Sequence, residues 1–198
     1  MKNKKIEWIV KVAMLSAVAT VLMLFEFPLP FIAPGFYEID FSEVPVLIGA
    51  FAMGPVAGVA IEAVKILLNF IINGSITGGV GEFSNFVLGI VFVLPAALIY
   101  KKNKTRKSAF LGLVTGGLTM VILGCFINAF IMLPLYSKII IPMEQIIAMA
   151  AAIWSSIDTV FEFVLLCVAP FNLIKAILVT LVTMVLYKRL SPILKIRT

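Results

Sequence analysis

Apolar runs of membrane-spanning length dominate this chain. A helix that crosses a bilayer needs about 20 consecutive, mainly apolar residues. Residues 6–27, 55–72, 82–100, 108–133 and 170–190 each supply such a run, and a shorter one covers 44–53. Of the 198 residues, 62% are hydrophobic and 13% charged, against roughly half and a quarter in soluble domains. A soluble fold of this size could not hide so much apolar surface. This excludes a soluble globular domain, a disordered chain and a nucleic-acid binder, despite the net charge of +6. The expected class is an all-α integral membrane protein, with 1–198 as a single membrane-embedded domain.

The first run follows the basic Met1–Lys5, as a signal peptide would. It is too long for an h-region of about 7–15 residues and has no small-x-small cleavage site, so it reads as a retained helix. Pro28, Pro30, Pro34 and Gly35 mark a loop over 28–43 that also carries Glu38, Asp40 and Glu43. Met53-Gly54-Pro55 ends the short run, because proline lacks the helical donor and glycine favours turns. Further loops fall at Asn73-Gly74-Ser75, at Gly78–Gly81 and at the basic Lys101–Lys107. Residues 134–169 are mixed, with short helices expected at 143–154 and 155–168. The last helix is expected to open at Pro170.

Charge placement tests this division. Most of the 16 Lys and Arg fall in three places: Lys2, Lys4, Lys5 and Lys11; Lys101, Lys102, Lys104, Arg106 and Lys107; and Lys188, Arg189, Lys195 and Arg197. If all three are cytoplasmic, the positive-inside rule holds. Four helices before the middle cluster and two after it satisfy the parity. The acids Glu26, Glu38, Asp40, Glu43, Glu82, Glu144, Asp158 and Glu162 then fall on or near the outside. The reading is six transmembrane helices with cytoplasmic N and C termini, and the positive charge serves orientation and lipid contact.

The missing chemistry narrows function. The chain has no histidine, which removes the usual general base, metal ligand and nucleophile partner. It has no GxxxxGK[ST], HExxH or GxSxG. Cys125 and Cys167 lie far apart in apolar runs and read as packed thiols. A transport or binding protein is expected, not an enzyme, with no metal and no cofactor.

Polar groups within apolar runs are costly, at about 2.5–3.5 kcal/mol per charge on insertion scales. Glu62 and Lys65 lie three apart on one helix face, continued by Asn69. They form either a self-paired ion pair or a site for a ligand or partner. Asn172 and Lys175 again share a face. Lys175 has no carboxylate at helical spacing; it either snorkels outward or points into a pocket. Asn128 falls at similar depth on the preceding long helix, with Phe126, Phe130, Phe171, Trp154 and Tyr136 nearby. An apolar pocket with a few convergent polar groups is how small-molecule sites look. Asparagine both donates and accepts, which suits a flat neutral heterocycle whose edge alternates C=O and N–H. The AxxxA of Ala13 and Ala17 and the GxxxG pairs Gly112/Gly116 and Gly54/Gly58 allow close helix approach; internal packing is the plain explanation of each.

The stretch Glu38-Ile39-Asp40-Phe41-Ser42-Glu43-Val44-Pro45 through Gly54-Pro55-Val56-Ala57-Gly58 resembles the substrate-binding S components of energy-coupling factor (ECF) vitamin transporters, and among them the riboflavin-binding ones. Glu62-Ala63-Val64-Lys65, Gly81-Glu82-Phe83-Ser84-Asn85-Phe86, Asn128 and Phe171-Asn172-Leu173-Ile174-Lys175 follow in order. The resemblance implies a high-affinity riboflavin-binding subunit in a prokaryotic cell membrane. It implies a transmembrane coupling subunit and two cytoplasmic ATPase subunits as partners, and toppling of the S component to release vitamin inside. It further implies that Asn128, Asn172 and Lys175 hold the flavin ring edge and that the loop over about 31–42 closes the site. Ala13 and Ala17 would face the coupling subunit. Asp40, Glu82 and Asn85 lie in the matched segments and join the candidate ligand set. Two alternatives remain: an S component for thiamine or a pterin, with Glu62, Glu82 or Asp158 as counter-charge, and a solitary ion-coupled carrier using Glu62 or Glu82.

Overall fold

The computed structural model describes residues 2–75 and 77–194. The elements in order are α1 (Lys2–Met23), a two-stranded antiparallel ribbon of β1 (Phe27–Pro28) and β2 (Glu38–Ile39), α2 (Glu43–Met53), α3 (Pro55–Asn73), α4 (Val80–Lys102), α5 (Arg106–Ile127), α6 (Leu133–Ile139), α7 (Met143–Ala151), α8 (Val160–Phe163) and α9 (Ala169–Leu194). Among the described residues, five apolar spans are long enough to cross a membrane: Lys4–Met23, Pro55–Asn73, Val80–Lys102, Arg106–Ile139 and Val160–Leu190. The sixth expected helix, α2, is present but has 11 residues. At 1.5 Å per residue it reaches about 16 Å, half a hydrocarbon core. The expected basic tail residues Lys195 and Arg197 lie outside the described residues.

Three expected boundaries are corrected. The first helix stops at Met23 instead of Phe27, because Phe27 pairs with Ile39 in the ribbon. The fifth does not end at Leu133 but runs on through a π-helical turn, Asn128–Met132, into α6. The last does not open at Pro170: α8 leads through a second π turn, Val164–Val168, into α9. Both turns have one physical reason. A proline inside a helix lacks the N–H and clashes with the carbonyl four residues back. For Pro134 and Pro170 those carbonyls belong to Phe130 and Leu166, each inside a π turn. The wider turn absorbs the clash and the helix continues.

Helix α2 is the centre of the bundle. Every residue from Glu43 to Phe51 is buried. α2 and α3 form an antiparallel pair around Gly54 (φ 102°) and Pro55, the positive φ being one that glycine adopts without strain. A Cβ on Gly58 would lie 2.7 Å from the Ala50 Cβ, so α3 packs backbone-close on α2. The GxxxG of Gly112 and Gly116 serves internal packing: a Cβ on Gly112 would lie 2.7 Å from the Ala96 carbonyl oxygen of α4. α4 and α5 therefore run antiparallel at close range. The basic ends of α1, α4, α5 and α9 gather at one end of the bundle. The ribbon and the acids Glu26, Glu38 and Asp40 cap the other.

A buried ion cluster ties α2 to α3. Lys65 Nζ lies 2.8 Å from Glu43 Oε1 and 2.8 Å from Glu62 Oε2. All three side chains are buried. Glu62 and Lys65 are thus paired with each other, as one of the two readings had it, and Glu43 completes a triad. We predict that Lys65→Met, which leaves two buried carboxylates without a counter-charge, costs about 3–5 kcal/mol. The thermal midpoint in detergent should drop by several degrees, more than for Glu62→Gln. An unchanged midpoint for Lys65→Met would show that the triad does not hold α2 in place.

Candidate functional site

A cavity opens beneath the ribbon at the acidic end. Its empty volume is about 890 Å³ with the open mouth included. Its walls come from the strap between α1 and α2 (Glu26, Phe36, Tyr37, Glu38), the start of α2 (Glu43), α4 (Ser84, Asn85, Leu88, Gly89), α5 and its π turn (Met120, Asn128, Met132), and the start of α9 (Phe171, Asn172, Lys175). Tyr136 and Phe36 stack at 5.2 Å, and Tyr37 meets Phe171 edge-on at 5.4 Å. The lining mixes aromatic and apolar residues with nine polar or charged side chains, three of them glutamates.

The three amide and amine candidates converge here. Asn128 sits at the first residue of the π turn and is buried. Its Nδ2 donates to the Gly124 carbonyl at 2.8 Å, and its Oδ1 accepts from the Tyr37 hydroxyl at 2.8 Å. Burial pushes the Tyr37 phenol up, so it stays a donor. Lys175 Nζ donates to Asp40 Oδ2 at 2.9 Å. Lys175 therefore does not snorkel. Its partner comes from the strap, 135 positions away. Asn172 is buried, and its Nδ2 has no hydrogen-bond partner among the described residues. Glu43 Oε2 on the same wall is likewise buried and unpartnered.

The remaining candidates divide. Asn85 lines the cavity. Asp40 is buried behind it, holding Lys175 and accepting from the Ser42 amide at 2.7 Å. Glu82 does not line this cavity. It braces the loop before α4, accepting from Ser75 Oγ at 2.9 Å and Thr77 Oγ1 at 3.3 Å. Phe126 and Phe130, expected around the pocket, are 59% and 74% exposed on the outer face, because residues two positions from Asn128 on a helix point to the opposite side. Trp154 is also away from it, its Nε1 donating to the Ile32 carbonyl at 3.4 Å. Glu162 forms a capping box with Thr159 at the start of α8, and Asp158 is exposed. Ala13 and Ala17 are both exposed along α1. Sequence reasoning missed Tyr37 and Glu43, which sit in the matched acidic stretch but show no periodicity that would aim them inward.

A family profile described as "ECF transporter, substrate-specific component" matches residues 7–187. The chain belongs to this family. A relative named riboflavin transporter FmnP, from Bacillus subtilis, is 38% identical over 95% of this chain and 94% of its own length. One named riboflavin transporter RibU, from Staphylococcus aureus, is 37% identical over 98% of this chain and 94% of its own. A solved structure, described as the S component of a bacterial ECF transporter, superposes with a TM-score of 0.74 at 35% identity. It covers 98% of this chain and 99% of that one. The match spans the whole bundle, strap and cavity included. This S component is a multi-pass membrane protein, and its relatives are transporter subunits and not enzymes.

Two carboxyls at the strap of this S component are shifted in opposite directions. Burial, then the Glu38 and Asp40 carboxylates, push Glu26 up to about 7 against the pull of Lys175. Burial would also raise Asp40, but the Lys175 and Lys65 charges and Ser42 override it and hold it at about 2. A raised carboxyl stabilises the fold below its ordinary value of 4.5, and that stability is lost as pH rises through about 7. A depressed one acts above its ordinary 3.8 and is lost as pH falls toward about 2. Between pH 5 and 8 only Glu26 titrates of the two. We predict a thermal midpoint that falls from pH 5 to pH 8 and a flatter profile for Glu26→Gln. A variant that keeps the wild-type slope would remove Glu26 as the titrating group.

Proposed function

We propose that this chain is the high-affinity riboflavin-binding subunit of an ECF-type importer in a prokaryotic cell membrane. It takes riboflavin from outside and delivers it inward with a transmembrane coupling subunit and two cytoplasmic ATPases. The chain has no P-loop motif, so ATP hydrolysis falls to the partners. Both termini are cytoplasmic, and α2 counts as the sixth passage between the strap and the Gly54 turn.

The observation that carries the substrate reading is the Asn172 amide. A buried donor without a partner costs about 1–3 kcal/mol, and here it lies on the wall of an aromatic cavity beside Asn128 and Lys175. A planar ligand edge with carbonyl acceptors would satisfy it. The relatives named riboflavin transporters support the isoalloxazine ring as that edge. Asn85 and the strap would contact the rest of the vitamin. Exposed Ala13 and Ala17 offer a smooth face for the coupling subunit.

Purified protein should be yellow and should quench the fluorescence of added riboflavin. A colourless protein that fails to quench riboflavin but binds thiamine or a pterin would overturn the reading, as would uptake by this chain alone in ATPase-free vesicles. Asn172→Ala should weaken riboflavin binding about tenfold or more. Replacing Ala13 and Ala17 by leucine should spare binding and abolish uptake in cells carrying the partners. Loss of binding instead would place that face in internal packing.

A further inference from the structure

The buried Glu43 carboxylate is an acceptor that the fold leaves open on the cavity wall. Its Oε1 is held by Lys65 Nζ at 2.8 Å. Its Oε2 is buried and has no hydrogen-bond partner among the described residues, and the residue as a whole is only 4% exposed. The structure supports this group from behind: Lys65 supplies the counter-charge and Glu62 braces Lys65 at 2.8 Å. A buried carboxylate oxygen that accepts no hydrogen bond is costly, so the unpartnered Oε2 on a cavity wall marks where a ligand donor belongs.

Neighbours fix what kind of donor. A Cβ on Gly89 would lie 3.0 Å from Glu43 Oε1, and one on Gly124 would lie 3.0 Å from Asn172 Nδ2 and 3.3 Å from the Leu88 side chain. Leu88 and Gly89 are consecutive on α4, so Glu43 and Asn172 flank the same turn of that helix. Lys175 follows Asn172 one turn later on the same face of α9 and also lines the cavity. The wall therefore offers donor, acceptor and donor side chains within a small region. The complement is an edge that reads acceptor, donor, acceptor, which is a cyclic imide.

We infer that Glu43 is a specificity-determining residue: its Oε2 accepts the imide N–H of the ligand, between the carbonyls served by Asn172 and Lys175. The inference rests on the riboflavin reading and deepens it, because it assigns the ring N3–H to a residue outside the asparagine and lysine set. A carboxylate only accepts, so it rejects any ring that lacks a donor at that position. Gly89 is part of the same device, since a side chain there would collide with both Glu43 and Glu62.

The test compares riboflavin with 3-methylriboflavin, which lacks the donor, by fluorescence quenching on the purified full chain. Wild-type protein should bind the methylated ring at least about a hundredfold more weakly, because the buried acceptor is left unpaired. Glu43→Met keeps the side-chain volume and removes the acceptor, and it leaves Lys65 paired with Glu62. Its preference should shrink to within about threefold, with riboflavin itself bound more weakly. A steric origin predicts the reverse, an undiminished preference in Glu43→Met, and that result overturns the inference. Equal binding of the two ligands by wild-type protein overturns it as well, while leaving the riboflavin reading intact. Failure of wild-type protein to bind riboflavin at all overturns both. If Glu43→Met does not purify as a monodisperse protein, Glu43→Gln is read with riboflavin labelled at N3. Loss of the carboxylate should move the N3–H proton resonance upfield, and an unmoved resonance contradicts the assignment.

Discussion

Two lysines hold this bundle's acidic end together. Burying a carboxylate in a low-dielectric interior is prohibitive unless a counter-charge comes with it. Asp40 and Glu43 are buried only because Lys175 from α9 and Lys65 from α3 reach them at 2.9 and 2.8 Å. Such pairs add little net stability over apolar packing. Their value is registration: Lys175 fixes where the strap lies, and Lys65 fixes the start of α2. The cavity is the space these two contacts leave between the strap and the bundle. Its polar lining follows from the same constraint, because each charge that organises the fold also faces, or backs, the ligand wall.

Close backbone packing supplies the other half of the geometry. Gly58 lets α3 pack closely on α2 and α4, and Gly112 and Gly124 bring α5 close to α4 and α9, so that side chains from α2, α4, α5 and α9 meet around one cavity. The two π turns then set the phase. Each precedes a proline, and each lies where a helix enters the site. Asn128 opens the first and bonds Tyr37 in the cavity, while Phe126 and Phe130, two positions to either side, face outward. The same sequence elements that would break a helix in water here rotate it by a fraction of a turn.

Much of this was legible in the sequence. The apolar runs and the three basic clusters forecast an all-helical membrane bundle with a basic and an acidic end. Asn128, Asn172 and Lys175 stood out because polar groups in an apolar run need a reason, and all three line the cavity. Helical spacing exposed the Glu62–Lys65 pair for the same reason. The rest depends on contacts that periodicity does not encode. Nothing in a helical face announces that Lys175 meets Asp40, or that Glu43 joins Lys65 across 22 positions. Pro170 read as a helix start because the usual rule is right for a regular α-helix and wrong beside a π turn. Glu82 and Asn85 share a matched segment and a helix face, yet Glu82 stands in the first turn of α4, where the hydroxyls of Ser75 and Thr77 from the preceding loop take it up.

The central claim is that the Asp40–Lys175 contact fastens the strap to α9 and thereby makes the cavity. Hydrogen exchange of strap amides over residues 24–42 measures it directly, in wild-type protein, Asp40→Asn, Lys175→Met and the double variant. The account predicts faster strap exchange in each single variant and no further loss in the double, because both substitutions break one contact. Wild-type protection in either single variant, or additive losses in the double, would contradict it.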